Sequence, residues 1–97
     1  MEAYEVQKQF KKKDNSTFYA VRGKFGYDFF DDDATFLCRR LGAAKVTPDG
    51  YPCVRISETE IEKTCRWIAY AGRKVAIVEN ASTVKGGNDW RVTRTIS

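Results

Sequence analysis

"FYAVRGKFGYDFFDDDATFLCRRLGA", residues 18–43, runs from an extended segment through a turn and a cluster of rings into a helix. Its front is rich in aromatic and small apolar residues and stops at Gly23, which reads as a strand followed by a turn. Past the turn, Phe25, Tyr27, Phe29 and Phe30 place four rings within six residues, with Gly26 among them. Asp31, Asp32 and Asp33 come next, then Ala34, Leu37, Cys38 and Leu41 at helical spacing, two arginines and Gly42. Acids first, cations last and a closing glycine make a complete helix signature. The rings are therefore expected to belong to a core strand, and the aspartates to the start of the helix after it.

Upstream, "AYEVQKQFKKKD" sets Tyr4, Val6 and Phe10 among good helix formers and ends in Lys11, Lys12 and Lys13, where cations suit the dipole. It predicts a short amphipathic helix. Downstream, "AKVTPDGYPCVRI" predicts two extended segments around a turn at Pro48, Asp49 and Gly50. In "SETEIEKTCRWIAYAG" Ser57 and Glu60 match a capping box, Ile61, Cys65, Ile68 and Ala69 share a face, and Gly72 closes a helix expected over 58–71. "KVAIVEN" and "WRVTRTI" read as strands on either side of the polar loop "ASTVKGGND". Of Trp67 and Trp90, at least one indole is expected to be largely buried. The order predicts an α+β fold, α/β in the broad sense, with a mixed β-sheet and flanking helices.

At 97 residues and 42% apolar content the sequence describes one domain, 1–97, with room for a core. The 17 Lys and Arg against 13 Asp and Glu leave a net charge of +4, which permits nucleic-acid binding without requiring it. Cys38, Cys53 and Cys65 are odd in number and lack C-x-x-C spacing, so they read as small buried residues in a reducing compartment. Neither a leader peptide nor an apolar run of about 18 residues is visible, and a cytoplasmic protein without membrane contact is expected.

Catalytic chemistry is hard to place. There is no histidine, the commonest general base and metal ligand. There is no G-x-x-x-x-G-K-[ST] loop, and Gly86-Gly87 reads as a flexible tip. Asp31, Asp32 and Asp33 could be offered as a divalent-cation cluster, but consecutive residues at a helix start diverge, which favours the helix-cap reading. No lysine follows an acid by two positions, so a D/E-x-K nuclease dyad with Asp49 is not supported. No enzyme, cofactor or metal is expected.

Three ordered blocks, residues 18–43, "EIEKTCRWIAYAGRKVAIVEN" at 60–80 and "WRVTRTIS" at 90–97, resemble the N-terminal mismatch-recognition domain of the MutS family of DNA mismatch-repair proteins. The resemblance implies a double-stranded DNA partner, mismatched or distorted, bound weakly by one domain alone. In that family a Phe-x-Glu triplet wedges its ring into the duplex and bonds the mispaired base through its acid, a combination of local unstacking and one polar contact. The wedge position falls on Phe25 and the acid on Asp28, with Arg22 and Lys24 as supporting cations. Packing considerations alone would put Phe25 in the core.

This chain departs from the family's pattern in two ways. Gly26 is an extra residue between ring and acid, which puts Phe25 and Asp28 three positions apart and on different faces of an extended segment unless Gly26 bulges. Asp is also shorter than Glu. Nothing corresponds to the connector, clamp and ATPase domains of the family, so the expectation is a reading head without ATP-driven clamping. The competing reading is a protein-interaction module that keeps the fold without reading DNA, bound to a larger DNA-repair or mobile-element protein.

Overall fold

The computed structural model describes residues 2–46 and 50–97. Helix α1 covers Ala3–Lys13, followed by strands β1 (Thr17–Gly23) and β2 (Gly26–Phe30) and helix α2 (Asp31–Leu41). The chain continues through β3 (Lys45–Val46), β4 (Cys53–Ile56), α3 (Ile61–Tyr70), β5 (Lys74–Asn80) and β6 (Trp90–Ile96). The six strands form one sheet in the order β3-β4-β2-β1-β5-β6. β1 and β5 run parallel while the other neighbours are antiparallel, so the sheet is mixed and the fold is α+β as the element order predicted.

Strand alternation sorts the apolar residues into two cores. Phe18, Ala20, Tyr27, Phe29, Val54, Val75 and Ile77 face one way and meet Ala34 and Leu37 of α2 and Ile61, Cys65 and Ile68 of α3. Tyr19, Val21, Ala76 and Val78 face the other way, against Val6 of α1. β1 and β2 are thus covered on both faces, which explains why their residues read as near-continuous apolar runs. β6 forms one edge and exposes Arg91 and Arg94, charges that discourage further strand pairing. No helix among the described residues is long and apolar enough to cross a membrane.

α3 starts later than the capping box predicts. The helix begins at Ile61, its N-cap Glu60 makes no side-chain cap bond, and the Ser57 hydroxyl lies 3.1 Å from the Thr59 hydroxyl instead of on the helix. Ser57 contributes through its carbonyl, which accepts from the Glu60 and Ile61 amides. Local hydroxyl bonding has won over the cap. Ser57→Ala is therefore expected to change stability by less than about 0.5 kcal/mol, the range of an exposed substitution with no special feature. A urea midpoint shifted by a cap-sized amount would contradict this geometry.

Three more expectations can be placed. Trp67 and Trp90 pack along the rims of the two cores with only a minor part of their surface exposed, in keeping with the expected burial of an indole. Cys53 and Cys65 are buried, Cys38 is half-buried, and none of the three forms a disulfide; burial pushes the Cys65 thiol up to about 11. Of the predicted turn, Pro48 and Asp49 lie outside the described residues.

The α1–β1 connection turns on Asp14, whose carboxylate accepts from the Ser16 amide, the Ser16 hydroxyl and the Thr17 hydroxyl. These bonds favour its charged form and lower its pKa from 3.8 to about 2. A depressed folded pKa means that the stabilisation is complete above the unfolded value and is lost as pH falls through the folded one. Asp14→Asn should therefore flatten the acid limb of stability between about 3.8 and about 2, measured by thermal unfolding at stepped pH. An unchanged acid limb would remove Asp14 from the account.

Candidate nucleic-acid interface

The tip of the β1–β2 hairpin is two residues long. Gly23 pairs with Gly26, leaving Lys24 and Phe25 as the connection. Gly26 has φ 141°, and a Cβ built there would lie 2.6 Å from the Ile56 carbonyl oxygen of β4. Both the backbone conformation and the approach of β4 require glycine. β2 then pairs through to Phe30 with β4 without a register break. The extra residue noted in the sequence is thus a member of the ladder and not a bulge.

This register decides where each predicted residue goes. Phe25 is 70% exposed, not in the core. Its ring centroid lies 5.6 Å from Lys24 Nζ and 5.7 Å from Arg55 Cζ, so cations flank the ring. Arg22 lies across from Tyr27 and donates to the Tyr27 hydroxyl at 2.8 Å. It also pairs with Glu58 at 3.3 Å, and these two acceptors, Glu58 foremost, hold its pKa above the ordinary value.

Asp28 is where the arrangement departs from the family pattern. It is 5% exposed, on the α1 face of the sheet beside Val21, and Arg55 lies directly across from it in β4. Arg55 Nε donates to Asp28 Oδ1 at 2.8 Å and Nη2 to Oδ2 at 3.2 Å. Both carboxylate oxygens are engaged inside the protein. The acid is therefore buried behind the ring and not displayed beside it.

Sequence reasoning did not single out Arg55. Its one local signal is the alternation in "CVRI", which sets a cation between Val54 and Ile56 on a strand. Its partner lies 27 positions away, and only the β2–β4 register brings the two together. The parallel pairing of β1 with β5 also brings the 81–89 connection, with Lys85, to the same end of the sheet as the hairpin tip.

Asp31, Asp32 and Asp33 lie at the other end. α2 has no side-chain N-cap; the acids occupy its first turn instead. Asp33 turns inward, takes Lys11 Nζ at 2.8 Å and accepts from the Tyr19 amide. Burial pushes its pKa up despite these bonds. The three carboxylates border a groove of about 540 Å³ with Lys8, Lys11, Lys12 and Arg73, which places acids and cations side by side.

A family model described as MutS domain I matches residues 3–97. The chain belongs to the MutS domain I family. No curated protein matches it. Family membership connects this domain with DNA mismatch recognition, and the hairpin tip is where this MutS domain I carries the exposed Phe25.

Proposed function

We propose that this domain binds mismatched or otherwise distorted duplex DNA by inserting Phe25, with Lys24 holding phosphate and Arg22 bracing the hairpin. The observation that carries the reading is a large aromatic ring, 70% exposed and flanked by Lys24 and Arg55, at the end of a short, doubly paired hairpin. A buried ring of that size contributes to packing, whereas an exposed one contributes little to folding and is available to a partner. A mispair lowers the cost of opening the base step, which is the difference a wedge can read.

The binding should be weak and salt-sensitive. Contact with about two to four phosphates gives a log K that falls with log salt at roughly 0.9 per phosphate. In a chemical-shift titration at low salt, the mismatched duplex should bind tighter than the matched one by about 1 kcal/mol. Phe25→Ala is expected to erase that difference and leave weak binding to both, whereas Lys24→Ala weakens both alike. Amide shifts absent with either duplex would end the DNA reading.

The burial of Asp28 favours a second reading, a protein-interaction module that keeps the fold, because an enclosed acid is what loss of base reading would leave behind. That reading predicts no response to DNA at any salt concentration.

A further inference from the structure

We infer that Arg55, held in place by Asp28, is the side chain that meets the base beside Phe25, so that this head disfavours guanine in a mispair and favours bases whose minor-groove edge offers only acceptors. The inference rests on the DNA reading proposed above. The Arg55 side chain is 30% exposed and that of Asp28 8%, so the cation is the member that faces outward. Arg55 Cζ stands 5.7 Å from the Phe25 centroid, and Lys24 Nζ stands 5.6 Å from it. Lysine and arginine are donors without an acceptor between them. The two cations that flank the ring thus offer it only hydrogen-bond donors.

Apolar wedges that unstack a base step work from the minor groove. There adenine N3 and the O2 atoms of thymine and cytosine are acceptors, and guanine adds an amino group that donates. A guanidinium facing that amino group leaves donors unpaired where the wedge has displaced water, which costs affinity. An exposed carboxylate at the same place would accept from the amino group and prefer guanine. The two arrangements thus predict opposite signs for one chemical change. Two charge-assisted bonds to Asp28 also fix the guanidinium plane before any DNA arrives, so little ordering remains at binding.

Deoxyinosine supplies that change. A G·T wobble pair uses guanine O6 and N1–H, so an I·T pair keeps both bonds and lacks only the amino group. In titrations at low salt the I·T duplex should bind about threefold tighter than the G·T duplex. The paired variant Asp28→Asn with Arg55→Gln replaces the ion pair by an amide pair that can donate or accept, and should remove the inosine gain. Equal or weaker binding of I·T, alongside a mismatch preference that Phe25→Ala abolishes, would overturn the role of Arg55 and leave the DNA reading standing. Loss of any Phe25-dependent preference overturns both. Circular dichroism checks the paired variant, and if it does not fold, the I·T against G·T comparison on the unaltered protein decides alone.

Discussion

Gly26→Ala is expected to destabilise the domain by about 3 kcal/mol and to misplace Phe25. Two effects act together. A φ of 141° is a conformation that L side chains rarely adopt, which costs on the order of 1–3 kcal/mol where the surroundings enforce it. The new methyl would also lie 2.6 Å from the Ile56 carbonyl oxygen, and that atom is backbone, so no rotamer change can relieve the clash. β2 must move away from β4 or the tip must re-form. In either case Tyr27 and the Asp28–Arg55 pair, both set by this register, shift as well. Urea unfolding measures the loss, and a drop of less than about 1 kcal/mol would mean that the hairpin tip yields more easily than this geometry allows. In the fraction that remains folded, mismatch preference should disappear while salt-dependent binding persists, because Lys24 still carries its charge.

Most of the fold was legible because its signals are local. The apolar spacing from Ala34 to Leu41 and the closing Gly42, which has φ 67° and donates to the Cys38 carbonyl, delimit α2 without reference to the rest of the molecule. "KVAIVEN" and "WRVTRTI" coincide with β5 and β6 for the same reason. The capping box at 57–60 misled because a sequence pattern does not reveal which neighbour a serine hydroxyl will choose, and here Thr59 takes it. Trp67 and Trp90 pack against the cores at the rims of the layers, a position that tertiary packing sets and periodicity does not encode.

The site was legible only as far as its chemistry is local. Phe25 could be named as a wedge through the family resemblance, but its exposure follows from the two-residue connection between Gly23 and Gly26. Asp28 could be named as an acid, but its burial follows from alternation counted from that same turn: Tyr27 and Phe29 face α2 and α3, so Asp28 must face α1. Its cross-strand partner is non-local and depends on β4 joining the sheet beside β2. The extra glycine thus changes more than a spacing. With Gly26 as the first ladder residue of β2, the ring stays on the connection and Asp28 falls on the α1 face against Arg55.

That supporting role makes Asp28→Ala the sharper functional test. The substitution leaves the Arg55 guanidinium partly enclosed and without its carboxylate. Breaking a fully buried pair costs about 3–5 kcal/mol, but Arg55 is 30% exposed and can turn toward water, so about 2 kcal/mol is expected. Asp28→Asn, which keeps the shape and one acceptor oxygen, should cost about half as much. The effect on DNA has a different sign from the effect on stability. Removing a carboxylate adds one net positive charge beside the tip, so binding to matched duplex should strengthen at low salt and the salt slope should steepen by up to about 0.9. Mismatch preference should fall at the same time, because the guanidinium is no longer held against Phe25. An acid that touched the base directly would produce another pattern: unchanged stability, unchanged binding to matched duplex and a loss confined to the mismatched one. Paired urea and salt titrations of Asp28→Ala separate the two, and a stability change below about 0.5 kcal/mol combined with a loss confined to mismatched DNA would return Asp28 to the reading surface.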